Sequence, residues 1–210
     1  MVRKSSGVKS VRDLDGATVC VLMGTSTALT LADYFRSNNM KYEPITFEKD
    51  DEVVAAYESG RCDAYTTDSS GLYANRLTLK DQQEHLVLPE IISKEPLGAV
   101  VRHGDNQWGD IVSWALYAML NAEELGVNSK NAEGMRESDN PEIRRLLGTE
   151  GKFGEGLGLP DDWAYNIIVK VGNYAEIFDR NVGKGSPLGI PRGLNALWTQ
   201  GGIQYAPPIR

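Results

Sequence analysis

Five positions carry the most legible chemistry in this chain. Gly24, Thr25, Ser26 and Thr27 follow a short β-branched run at 17–22 and precede a helical pattern. A glycine followed by small hydroxyl residues at a strand-to-helix turn leaves several backbone N–H groups without carbonyl partners. The helix dipole adds partial positive charge there, and the hydroxyls add donors, so such a turn holds a carboxylate or phosphate readily. It also serves as an ordinary N-cap. Asp68 ends a second run, 62–67. A carboxylate at the end of a neighbouring parallel strand can accept a charge-assisted hydrogen bond from a ligand ammonium. The other role open to it is capping the helix that starts at Ser69 and Ser70. Together, an anion cradle and a carboxylate suit a zwitterion with adjacent carboxylate and amine, which describes an α-amino acid.

Other chemistries are poorly supplied. Cys20 and Cys62 stand apart from any C-x-x-C pair, and His85 and His103 are isolated. A structural zinc site takes about four grouped nitrogen or sulfur ligands, so no metal and no cofactor is expected. The two cysteines read equally well as one disulfide or as two buried thiols. Gly24-Thr25-Ser26-Thr27-Ala28 lacks the closing glycine of a nucleophile elbow. Gly183-Lys184-Gly185-Ser186 lacks phosphate-loop spacing and reads as a turn. Asp13 with Asp15, and Asp50 with Asp51, sit at turns or helix starts, where capping explains them better than acid–base catalysis. No catalytic residues are assigned.

The elements that must position the cradle follow from the pattern. Strands are expected at 17–22, 44–47, 62–67 and 86–88, with helices after Gly24, from Asp50 to Gly60 and from Ser69 to Leu77. Such alternation marks βαβ units on a parallel sheet. In these sheets ligands bind beyond the carboxyl ends of the strands. With the 17–22 strand central, Gly24–Thr27 and Asp68 become neighbours across one crevice. After a further strand at 97–102, the chain turns helical. Trp108, Ile111, Ala115, Met119 and Ala122 recur at helical spacing. Helices follow from Asn140-Pro141 and from Pro160, around a glycine-rich connector with Gly148, Gly151, Gly154, Gly156 and Gly158.

The 210 residues carry a net charge of −7, which argues against nucleic acid as a partner. Apolar residues make up 41% and charged residues 24%, a globular balance. No apolar run is long enough for a transmembrane helix, and no apolar h-region follows Met1, so no signal peptide is visible.

Several segments resemble the polar amino-acid-binding proteins of bacterial ABC importers. Asp13-Leu14-Asp15-Gly16-Ala17-Thr18-Val19 with Gly24-Thr25-Ser26 is similar to the opening of that family's second lobe. Ala55-Ala56-Tyr57-Glu58-Ser59-Gly60-Arg61-Cys62-Asp63-Ala64, leading to Asp68, matches its next signature, and Lys94-Glu95-Pro96-Leu97-Gly98 resembles the return crossover. Ser138-Asp139-Asn140-Pro141-Glu142-Ile143, Gly172-Asn173-Tyr174-Ala175-Glu176-Ile177-Phe178 and Arg192-Gly193-Leu194-Asn195-Ala196-Leu197-Trp198 resemble the general L-amino-acid-binding subfamily.

The resemblance implies an α/β, periplasmic-binding-protein-like fold. Residues 7–95 would form one complete parallel-sheet lobe. Residues 96–210 would form the helical C-terminal portion of the other lobe, with 1–6 as a crossover strand. It implies a non-enzymatic solute-binding component, periplasmic, with an L-amino acid as ligand and a membrane permease as partner. Residues 24–27 would contact the α-carboxylate and Asp68 the α-amino group. An oxidising periplasm favours a Cys20–Cys62 disulfide. On this alignment Met1 is an internal position. The family's arginine clamp and aromatic residues lie in the part not spanned, which would weaken binding. Stripes such as Trp108/Ile111/Ala115 would be uncovered and invite homo-oligomers. An enzyme on the same scaffold, dehydratase-like, and a structural or sensory module are the alternatives.

Overall fold

The computed structural model describes residues 1–94 and 97–210, which fall into two compact units, Met1–Leu97 and Gly98–Arg210. The first unit is built on a sheet of β1 (Val2–Arg3), β2 (Ala17–Leu22), β3 (Tyr42–Phe47), β4 (Ala64–Tyr65) and β5 (His85–Leu86). Its order is β3-β2-β4-β1-β5. The central position expected for the 17–22 strand is what the sheet shows: β2 pairs in parallel with β3 on one side and β4 on the other. Pro44, which has no N–H to donate, lies in β3 at the sheet edge, where a missing donor is tolerated.

Three helices connect these strands: α1 (Ser26–Ser37), α2 (Asp50–Glu58) and α3 (Ser69–Arg76). Alternate residues of β2 point to opposite faces. Val19 and Val21 pack with Leu31 and Phe35 of α1, whereas Cys20 packs with Val53, Ala56 and Tyr57 of α2 and Leu72 of α3. Cys20 and Cys62 are joined by a disulfide with Cα atoms 5.7 Å apart. Beside it, Asp63 accepts hydrogen bonds from the Thr18 N–H (2.8 Å) and hydroxyl (2.6 Å), pinning the start of β4 to β2.

The sheet departs from the all-parallel expectation at its far side. Val2–Arg3 enters between β4 and β5 and runs antiparallel to both, with Val2 opposite Ala64 and Arg3 opposite His85. A 3-10 turn, Lys4–Ser6, follows immediately, so the crossover strand expected at 1–6 is only two residues long and belongs to the first unit. The 62–67 strand likewise shortens to Ala64–Tyr65.

Arg3 stacks over the Tyr57 ring, 4.7 Å from its centroid, and the Tyr57 hydroxyl bonds His85 Nδ1 at 2.8 Å. Burial, then the Arg3 charge, lowers the His85 pKa below its usual 6.5, although Glu58, Asp81 and Glu84 push the other way. The unfolded chain therefore takes up this proton first. The contribution of neutral His85 to stability is present above about pH 6.5 and is lost as the pH falls through that value toward the folded one. A ring-proton NMR titration should place the His85 midpoint below 6.5. A midpoint at or above that value would show that burial does not dominate.

The second unit is helical: α4 (Asn106–Glu124), α5 (Ala132–Met135), α6 (Pro141–Leu146), α7 (Trp163–Val171) and α8 (Tyr174–Asn181). Asp105 caps α4 by accepting from the Trp108 N–H. One side of α4, through Ile111, Trp114, Ala118 and Ala122, packs with Leu146, Leu147, Trp163 and Ile168. Ile111 is therefore half-buried, contrary to the uncovered stripe expected, while Trp108 (53%) and Leu116 (40%) do stand exposed. The helical stretch after Pro160 is interrupted at Gly172, as its glycine leads one to expect, which divides it into α7 and α8, and Asn173 and Glu176 form a reciprocal capping box.

No strand forms at 97–102, and Val100 is 94% exposed. Its β-branched residues favour extended backbone, but a strand also needs a neighbour to bond, and none among the described residues pairs with it. Positions 95 and 96 of the crossover motif lie outside the described residues.

Candidate functional site

The candidate ligand site is built where β2 and β4 end. Gly24 adopts φ 71°, a left-handed turn that admits glycine far more easily than other residues and redirects the chain into α1. Thr25 is the N-cap: its hydroxyl donates to the Leu22 carbonyl at 2.8 Å and accepts from the Ala28 N–H at 3.4 Å. The first helical N–H groups, those of Thr25, Ser26 and Thr27, have no carbonyl within the helix to bond. Thr25 can thus offer a ligand its N–H, while its hydroxyl is already engaged. Ser26 is exposed and Thr27 half-buried. The Met23 N–H donates to the Phe47 carbonyl at 2.9 Å, tying this loop to the end of β3.

Asp68 occupies the N-cap position of α3, yet its side chain makes no cap hydrogen bond. Its backbone carbonyl accepts from the Leu72 N–H at 2.8 Å, which closes the first helical turn. The carboxylate is exposed. In the parallel register Cys20 lies opposite Tyr65. β4 ends at Tyr65, where the Thr66 N–H donates to the Cys20 carbonyl at 3.2 Å, and Asp68 follows three residues on. The parallel pairing of β2 with β4 therefore defines a ledge at the carboxyl edge of the sheet, where residues 24–27 follow one strand and Asp68 follows the next.

Residues read from sequence as caps divide in the structure. Asp13 accepts from the Lys9 and Ser10 N–H groups, which lower its pKa, and Asp15 accepts from the Lys41 N–H. Asp50 does otherwise. Its carboxylate accepts from the Tyr65 hydroxyl at 2.9 Å and from Asn75 Nδ2 at 3.2 Å. Sequence reasoning missed this cluster because its members are far apart in the chain. The one available signal was a tyrosine and an asparagine flanking Asp68 on the same strand–helix unit. Gly183, Lys184, Gly185 and Ser186 form a closed turn after α8, with the Gly185 N–H bonded to the Asp179 carbonyl.

Among the described residues no group of three His, Cys, Asp or Glu side chains could hold a metal ion. Two recesses lie in the second unit. One, of about 210 Å³, is walled by Glu124, Glu142, Trp198 and Tyr205, and the other, of about 400 Å³, by residues from Ala99 to Ser113. Neither is lined by residues 24–27 or by Asp68.

A scan against protein-family models finds no match. Individual proteins are far more informative. The chain is 62% identical over 212 residues to the "General L-amino acid-binding periplasmic protein AapJ" of Rhizobium johnstonii, covering all of this chain. It is 57% identical to the "Putative amino-acid ABC transporter-binding protein YhdW" of Escherichia coli. It is 54% identical to the "Glutamate/glutamine/aspartate/asparagine-binding protein BztA" of Rhodobacter capsulatus. The chain spans 62% of the length of each of these relatives. Among solved structures, a periplasmic binding protein of an ABC transporter from Brucella ovis, with glutathione bound, superposes with a TM-score of 0.88 at 57% identity. That match covers 99% of this chain and 65% of the other. With identity of this order along the whole chain, and a shared fold, the chain is similar throughout to a part, just under two thirds, of ABC-transporter periplasmic binding proteins for amino acids.

Proposed function

We propose that this chain supplies the amino-acid-holding part of a periplasmic solute-binding protein that delivers L-amino acids to an ABC-transporter permease. Residues 24–27 bind the α-carboxylate through free N–H groups at the start of α1, and Asp68 accepts hydrogen bonds from the α-ammonium. In this reading 7–95 is a complete lobe and 96–210 a portion of the other. The observation that carries it is the Asp68 carboxylate: it stands at a helix N-cap, makes no cap bond, and follows the strand paired with the one that leads into residues 24–27. The names of the relatives support α-amino acids as the ligand class. The glutathione of the structural neighbour fits the same chemistry, since its γ-glutamyl end carries a free α-amino and α-carboxylate pair. The exposed Trp108 and Leu116 of α4 support self-association through the second unit.

The test is an NMR titration of the chain with L-glutamate and with glutarate, which keeps the carboxylates but lacks the amine. Binding weaker than micromolar is expected, with shifts centred on 24–27 and 68. A hydrogen bond to a charged group is worth about 1.5–3 kcal/mol, so Asp68→Asn should weaken L-glutamate roughly 10- to 100-fold and leave glutarate unchanged. Equal losses for both ligands, or no shifts at the ledge, would refute the assignment.

A further inference from the structure

Asp68 makes no side-chain bond to its own helix, so the placing of its carboxylate depends on how the backbone on either side is held. Three side chains close a triangle on those flanks. The Tyr65 hydroxyl donates to Asp50 Oδ1 (2.9 Å), Asn75 Nδ2 donates to the Tyr65 oxygen (2.8 Å), and the same amide donates to Asp50 Oδ2 (3.2 Å). Tyr65 is the last residue of β4 and is 1% exposed. Asn75 lies in the last turn of α3, and Asp50 opens α2. Asp68 lies between Tyr65 and Asn75 in sequence, so the triangle ties both flanks of its segment to a third element.

The chemistry makes the triangle a one-way lock. Burial first, and then the Asp50 carboxylate as acceptor and charge, push the Tyr65 phenol well up, so it remains a protonated donor. An ionised carboxylate can only accept, and the asparagine amide supplies both remaining donors.

We propose that Tyr65, Asn75 and Asp50 are positioning residues for ammonium recognition. Their triangle holds α3 against the end of β4 and so fixes the backbone from which the Asp68 carboxylate projects. The inference rests on the ligand assignment above and adds to it the residues that decide discrimination between an α-amino acid and its deamino analogue. Tyr65→Phe removes one oxygen from a buried ring, and Asn75→Ala removes the amide from a half-buried position, so two independent variants probe the triangle.

Two readouts are combined on the full chain, with circular dichroism confirming the fold. The first is the ratio of L-glutamate to glutarate affinity by NMR titration. It should fall at least threefold in each variant, with the glutarate affinity itself unchanged. The second is amide hydrogen exchange at Leu72, whose N–H bonds the Asp68 carbonyl. It should speed up in both variants. A folded variant that keeps the wild-type ratio overturns the proposal. If the wild-type chain shows no preference for L-glutamate, the ligand assignment itself fails, and the positioning is judged by exchange alone. Unchanged Leu72 exchange then overturns it.

Discussion

Replacing Cys20 and Cys62 together by alanine is expected to remove about 4 kcal/mol of stability from the first unit, the cross-link's constraint on a loop closed over 42 positions. Both cysteines are fully buried, and alanine leaves no unsatisfied polar group behind. For a unit of this size that loss corresponds to a fall in unfolding midpoint of roughly 15–30 °C. Calorimetry of the double variant, and of the wild type under reducing conditions, should show the same shift. A change under about 5 °C, where 1 kcal/mol is worth about 4–8 °C, would mean that the unfolded chain is barely restricted by the bond. The functional consequence follows from position. Cys20 lies opposite Tyr65 in the β2–β4 pairing, and Cys62 leads into β4. The bond thus secures the same two strands whose ends carry residues 24–27 and Asp68. Asp63 holding Thr18 secures them a second time, so the ledge should persist in the reduced protein at low temperature.

The second large effect is expected at Gly148, in the glycine-rich connector of the second unit. It follows α6 with φ 73°, and a Cβ there would overlap the Asp161 carbonyl and lie 2.8 Å from the Asp162 Cα. Backbone atoms cannot swing aside as a flexible side chain would. The left-handed conformation costs a non-glycine residue about 1–3 kcal/mol. Forced overpacking adds about 1–3 kcal/mol more. Gly148→Ala should therefore destabilise the unit by roughly 2–6 kcal/mol in urea unfolding. Gly156, in the same connector, provides the contrast: an added Cβ meets nothing within 4 Å. Gly156→Ala should stay within about 0.5 kcal/mol of wild type. Similar losses at both positions would show that general connector flexibility, rather than close approach, governs the region.

These two sites illustrate how composition and geometry divide the information. The connector's glycines are equivalent as letters in the sequence. The return of residues 161 and 162 against the end of α6, together with the left-handed backbone at Gly148, separates it from Gly156. The cysteines are similar. Their spacing left a disulfide and two thiols equally open, and it is the adjacency of β2 and β4 that brings the Cα atoms to 5.7 Å.

Much of the candidate ligand site was nonetheless legible. The β-branched run 17–22, the turn at Gly24, the cap at Thr25 and the helix after it all rest on interactions within a few residues, and they form as the local chemistry dictates. Asp50 was the instructive exception. Its place at a helix start suggested capping, but its acceptors serve Tyr65 and Asn75, which lie 15 and 25 positions away.

The sequence by itself therefore determined the local elements: the α/β alternation of the first unit, the long helix after Asp105, and the helix-start chemistry of 24–27. These depend on steric preference, hydrogen-bond inventory and periodicity, all of which act over one or two turns. Tertiary structure alone decided that Val2–Arg3 runs antiparallel between β4 and β5, that 97–102 finds no strand partner among the described residues, and that Asp50 meets Tyr65 and Asn75. Strand pairing decides the first two of these. A strand's propensity lies in its own residues, but its hydrogen bonds are completed by a neighbour that the local sequence does not name.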